Sequence, residues 1–170
     1  MTFIVGGAAS GKSRFAEELV DKTRAPRRYI ATAHAYDAEM HDKIAAHQYR
    51  RGLNWTTVEA PLDAPGALSA AHSSETVLLD CATLWLTNHL MAENDLQEQQ
   101  ALLLNALEHS KARVVVVSNE VGYGIVPDNA MSRKFRQAQG ELNQALAAAA
   151  GLVITVIAGL PLVLKGSLPE

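Results

Sequence analysis

The segment FIVGGAASGKSRFAEELV, Phe3 to Val20, constrains this chain more than any other part of it. An apolar run of strand length breaks into glycines. Gly11-Lys12-Ser13 follows, and then a segment with Phe15, Leu19 and Val20 on one helical side. Gly6, Gly11, Lys12 and Ser13 satisfy the spacing G-x-x-x-x-G-K-[ST]. A loop that wraps phosphates closely favours glycine, because side chains obstruct the approach. Across Gly6, Gly7, Ala8, Ala9, Ser10 and Gly11, backbone N–H groups can then turn toward the anion, helped by the positive end of the following helix. Lys12 would reach the β- and γ-phosphates, and the Ser13 hydroxyl would ligate Mg²⁺. A chance glycine turn need not have a strand before it and a helix after it; this segment has both patterns.

Apolar runs of strand length recur at Thr2–Val5, Arg28–Ala31, Thr76–Leu79, Arg113–Ser118 and Leu152–Ile157. They are continuous rather than alternating, which suits parallel strands covered on both faces. Helix-length segments lie between them: Ser13–Thr23, Glu39–Arg51, two within Ala82–Ser110, and Asn129–Ala150 with a stripe of Met131, Phe135, Ala138, Leu142 and Leu146. The alternation predicts a three-layer α/β fold with a mostly parallel sheet, built as one domain over residues 1–170. Glu59 to Glu75 reads as a surface connection with one short helix. Ala145 to Leu164 is a run of twenty residues without a charge, but Gly151, Gly159 and Pro161 divide it. It reads as a helix end, a turn and a buried strand rather than a membrane span. The net charge of −3 argues against a general nucleic-acid binder, and the single Cys81 leaves no internal disulfide. The opening MTFIVGG lacks the basic region of a signal peptide, so the expected location is the cytoplasm.

A phosphate cradle of this kind needs a carboxylate for the metal at the end of another strand. Asp80, at the end of TVLLD, meets that need. Asn119-Glu120 ends the next run. Ligands of open α/β sheets bind at the carboxyl ends of strands, so Asp80, Glu120 and the cradle are expected to meet in one crevice. This much leaves an ATPase, a GTPase switch and a small-molecule kinase open. In the segment from Ala38 to Trp55, Met40, Ile44 and His47 fall on one helical stripe, with Arg50 and Arg51 three and four residues beyond His47. One reading is a core histidine with two surface arginines. The other is a histidine beside a polyphosphate held by guanidiniums, where a neutral imidazole could attack phosphorus. His34, His41 and His47 are spaced six and seven apart, poorly suited to a metal cluster on one helical face.

Together these segments resemble the bifunctional adenosylcobinamide kinase / adenosylcobinamide-phosphate guanylyltransferase family of cobalamin biosynthesis. The resemblance is carried by GGAASGKSRFAE, YIATA…DAEMHDKIAAHQYRR…W, LLDCATLWLTN and NEVGYGIVP, and runs from Thr2 to Lys165. It implies a RecA-like P-loop fold, usually trimeric, and two reactions. The first phosphorylates the aminopropanol hydroxyl of adenosylcobinamide with ATP or GTP. The second transfers GMP from GTP to that phosphate through a guanylylated histidine, which here falls on His47. The family's nucleotide contacts fall on Gly6 to Ser13, on Ala31, Thr32 and Ala33, on Gln48, Tyr49, Arg50 and Arg51, and on Glu59 and Asp80. Family members often carry a basic or polar residue where Ala9 stands. A monofunctional P-loop kinase is the narrower alternative, and a nucleotide-dependent switch acting on a partner protein is a reading of a different class.

Overall fold

The computed structural model describes residues 1–33 and 54–168. Their order is β1 (Thr2–Gly6), α1 (Lys12–Asp21), β2 (Arg27–Ala31), β3 (Trp55–Glu59), α2 (Ala64–Ser69) and β4 (Thr76–Asp80). Then follow α3 (Ala82–Met91), α4 (Leu96–Glu108), β5 (Arg113–Asn119), α5 (Ala130–Ala149), β6 (Leu152–Ile157) and β7 (Leu160–Lys165). The expected helix over Glu39–Arg51 lies outside the described residues, as do His34, His41, His47, Gln48, Tyr49, Arg50 and Arg51.

The strands form a seven-stranded sheet in the order β3-β2-β4-β5-β1-β6-β7. Every pairing is parallel except that of β6 with β7. The continuous apolar runs explain the layering. In a strand, successive side chains point to opposite faces, so a run with no polar alternate needs cover on both sides. Phe3, Val77, Leu79, Val114, Val116 and Val153 pack on one side with Trp85, Leu103, Leu142 and Leu146 of α3, α4 and α5. Ile4, Leu78, Val115, Val117, Ile154 and Val156 pack on the other with Ala16 and Val20 of α1. This is the mostly parallel three-layer arrangement the sequence predicts.

Four local expectations change. Trp55–Glu59 is an edge strand, although its two threonines are exposed and it shows no apolar run. Leu160–Lys165 is a further strand: the chain turns at Ala158-Gly159 and pairs back on β6. The connection after β3 is not merely surface, because Ala64, Ala67, Leu68 and Ala71 are buried against the sheet's helical layer. Met131 is 61% exposed and leaves the α5 stripe, whose buried part is Ala138, Leu142 and Leu146. Within the uncharged run from Ala145 to Leu164, Ala145–Ala149 ends α5, and the stretch from Leu152 onward belongs to the β6–β7 hairpin. Among the described residues, no helix is long and apolar enough to cross a membrane.

Candidate active site

The carboxyl end of β1 opens into the glycine loop. Gly6 has no room for a side chain: a Cβ there would fall 2.5 Å from the Val156 carbonyl oxygen and 2.7 Å from Ser10 Oγ. Gly11 adopts φ 91°, a left-handed conformation that favours glycine. The β6–β7 turn braces the loop from beside it, with the Gly159 N–H donating to the Ser10 carbonyl at 2.8 Å. We expect Gly6→Ala to destabilise the protein by about 1–3 kcal/mol, because a backbone carbonyl cannot yield to the added methyl. Thermal denaturation should show a Tm lower by roughly 2–10 °C; an unchanged Tm would mean the loop tolerates a Cβ there.

The start of α1 differs from the other described helices. Asp63, Cys81, Asp95 and Asn129 each accept a backbone N–H of the helix they precede. Gly11 has no side chain with which to cap α1. The first-turn N–H groups of α1 are therefore left for an anion, where the helix dipole favours one. Among the described residues, a Cβ on Gly7 would meet nothing within 4 Å, so the loop is open above it, and Ser10 Oγ is buried without a hydrogen-bond partner. Lys12 lies inside, only 9% exposed, with Nζ donating to the Gly7 carbonyl at 3.1 Å. These features fit a phosphate chain: an open mouth, unused donors and an enclosed cation.

Burial lowers the Lys12 pKa from its ordinary value, while Cys81 and Asp80 pull it back up. Cys81 is itself pushed up to about 12, chiefly by burial and then by Asp80. Its thiol is thus neutral at pH 7, and the negative charge that faces Lys12 is that of Asp80.

Asp80 ends β4, one strand removed from β1 by β5. Tyr29 donates its hydroxyl to Asp80 Oδ2 at 3.1 Å and so orients the carboxylate. The residue after it is fixed equally firmly. Thr32 Oγ1 donates to the Cys81 carbonyl at 2.7 Å and accepts the Cys81 N–H at 2.8 Å. The Thr32 carbonyl in turn takes an N–H of the Asn88 amide at 2.8 Å. Thr32 is fully buried, and Ala31 and Ala33 flank it at the end of β2. A Mg²⁺ ion suits the oxygen chemistry of Asp80 and the Ser13 hydroxyl.

Between β1 and β4, the end of β5 is fastened from below. Asn119 gives its N–H to Thr83 Oγ1 at 2.7 Å, and its carbonyl accepts from Asn143 Nδ2 at 3.0 Å. Ser118, Gln139 and Asn143 complete a buried polar network under it. The next residue, Glu120, donates its N–H to the Gly6 carbonyl at 3.0 Å. The glycine loop, Asp80 and Glu120 thus all stand at the carboxyl end of the parallel strands, with Glu120 bonded to Gly6. Glu59 behaves differently. Register pairs Ala31 with both Glu59 and Asp80, so Glu59 lies on the same edge, but at β3. Four strand spacings separate it from Gly6, roughly 19 Å, and it does not join the phosphate loop.

Residues 2–164 match the cobinamide kinase / cobinamide phosphate guanyltransferase family. The chain belongs to this family. The chain is 43% identical, over 96% of each sequence, to the "bifunctional adenosylcobalamin biosynthesis protein CobP" of Pseudomonas aeruginosa. It is 38% identical to the similarly named CobU proteins of Salmonella typhimurium and Escherichia coli, over 97% of this chain and 99% of each of them. Among solved structures, a Pyrococcus horikoshii protein of structural project PH0250 aligns with TM-score 0.56 at 7% identity, over 98% of this chain and 86% of its own. The RadB recombinase aligns with TM-score 0.52 at 17% identity, over 99% of this chain and 82% of its own. At such identities the likeness is of fold alone, and it agrees with the α/β arrangement around a mostly parallel sheet.

Proposed function

We propose that this chain carries out both reactions its family is named for: phosphorylation of adenosylcobinamide and transfer of GMP from GTP to the product. The observation that carries the reading is the uncapped start of α1 with Lys12 enclosed beside Asp80, in a chain whose relatives are named bifunctional over nearly their whole length. In the first reaction, ATP or GTP seats its phosphates over residues 6–13. The α1 N–H groups and Lys12 hold the charge that develops as the γ-phosphoryl passes to the acceptor hydroxyl. Mg²⁺, held by Ser13 and Asp80, would supply further charge neutralisation. In the second reaction, His47 attacks the α-phosphorus of GTP, pyrophosphate leaves, and the corrinoid phosphate then displaces His47 from the GMP. Gln48, Tyr49, Arg50 and Arg51 belong to the same motif and are assigned to the nucleotide. Ala31, Thr32, Ala33 and Glu59 are assigned to its more distant groups.

The chain is read as one catalytic domain acting in the cytoplasm on a small-molecule substrate. A homotrimer is consistent with its exposed apolar edge: Ile157, Leu160, Leu162 and Leu164 on the β6–β7 hairpin are 58–72% exposed. The direct test is incubation of the purified protein with adenosylcobinamide and ATP or GTP, with products identified by mass. Formation of the phosphate and then of adenosylcobinamide-GDP is expected; formation of neither would refute the reading. Asp80→Asn is expected to raise the Mg²⁺ concentration for half-maximal rate by about 10–100-fold. An unchanged Mg²⁺ titration would remove Asp80 from the metal site.

A further inference from the structure

The loop that leaves β5 stands apart from the rest of the surface. Tyr123 and Ile125 are each 96% exposed and Val126 is 68% exposed, with Met131 of α5 beside them in sequence at 61%. Contiguous exposed apolar groups of this kind mark interaction sites in soluble proteins. Nor is the loop a loose coil. The Glu120 carboxylate accepts the Gly122 N–H, and Arg136 donates to the Gly122 carbonyl. At the far end, Arg133 Nη1 donates to the carbonyls of Pro127 and Asp128 at 2.9 and 2.7 Å. Two arginines from neighbouring turns of α5 thus hold the backbone at both ends, while the apolar side chains between them face solvent.

The position of the loop is equally informative. β5 lies between the strand that opens into the phosphate cradle and the strand that ends in Asp80. Glu120, where the loop begins, is hydrogen-bonded to Gly6. A large acceptor whose hydroxyl reaches the terminal phosphate must rest its remaining bulk on whatever surrounds that point. Residues 121–127 carry no charged side chain. They suit neither a phosphate nor the donor-and-acceptor edge of a guanine. They do suit a flat macrocycle whose rim bears methyl groups and uncharged carboxamides. Arg136, which is held to the Gly122 carbonyl beneath the loop, fixes the backbone from which these apolar side chains project.

We propose that Tyr123, Ile125 and Val126 form the docking surface for the corrin ring of the acceptor, with Glu120, Arg133 and Arg136 as the residues that position it. The proposal rests on the corrinoid kinase reading above and locates its acceptor.

The test uses the full chain with Tyr123→Ala and, separately, Ile125→Ser, changes on a solvent-facing loop. Four quantities are measured: KM for adenosylcobinamide at saturating nucleotide, KM for the nucleotide, GTP-dependent self-guanylylation without corrinoid, and oligomeric state by sedimentation. Each variant is expected to raise the corrinoid KM about tenfold or more, leaving the other three as in the wild type. An unchanged corrinoid KM overturns the proposal. A parallel rise in the nucleotide KM overturns it in favour of a nucleobase. A changed oligomeric state, with the corrinoid KM restored at high protein concentration, overturns it in favour of a second copy of the chain. Failure of the wild-type protein to phosphorylate adenosylcobinamide would instead refute the kinase reading on which the proposal stands.

Discussion

Lys12→Ala is expected to abolish most phosphoryl transfer while leaving the protein folded. Lys12 is enclosed by the glycine loop, bonded to the Gly7 carbonyl, and faces the charge of Asp80. Its ammonium is the one side-chain cation that the described cradle offers to a phosphate. Preorganised charges in such enclosed sites are worth about 10²–10³-fold in rate each, so a loss of that order in kcat is expected. Stability should not follow activity. Burial lowers the Lys12 pKa, so at neutral pH the folded protein carries a penalty for keeping this group charged. That penalty is present below the lowered pKa and fades as pH rises through it. Removing the side chain relieves it, against the loss of one hydrogen bond. The Tm without nucleotide is therefore expected to stay within a few degrees of wild type, or about 1 kcal/mol in stability. The rise in Tm on adding GTP should shrink. A folded Lys12→Ala protein with normal adenosylcobinamide phosphorylation would remove Lys12 from the site.

The glycine loop over residues 6–13 is legible in the sequence because its demands fall on the backbone. Gly6 and Gly11 have no space or no alternative conformation, and sequence records such demands directly. The buried strands were legible for a similar reason: Val114 to Val117 are apolar on both faces because both faces are covered. What the sequence does not display depends on partners distant along the chain. Trp55–Glu59 is a strand because β2 offers it an edge, not because of its own pattern. Leu160–Lys165 contains Pro161 and exposes its leucines, which obscured its pairing with β6. Tyr29 orients Asp80 from 51 residues away, and Thr83 reaches Asn119 across 36. No spacing rule brings such pairs together; only strand order and register do. The short helix expected between Glu59 and Glu75 is there, but the small alanines of α2 do not reveal in sequence that it is buried.

His47→Ala is expected to eliminate GMP transfer while sparing the kinase reaction. The two chemistries differ in what they require. Passing a γ-phosphoryl to a hydroxyl needs positioning and charge, the roles we propose for residues 6–13 and Asp80, and no protein nucleophile. Transfer through a covalent guanylyl group needs a nucleophile, and His47 is the residue we propose for it, with Arg50 and Arg51 three and four residues beyond it in the sequence. His47 lies outside the described residues, so its role must be read chemically.

The decisive measurement is labelling of the protein with GTP in the absence of any corrinoid. The account predicts that α-labelled GTP with Mg²⁺ leaves a label on the wild-type chain that is labile in acid and stable in alkali, as a phosphorus–nitrogen bond is. γ-Labelled GTP should leave none. Added adenosylcobinamide phosphate should discharge the label into adenosylcobinamide-GDP. His34 and His41 substitutions should keep the label, and His47→Ala should lose it. Full labelling of His47→Ala, or a wild-type label that adenosylcobinamide phosphate cannot discharge, would contradict the account.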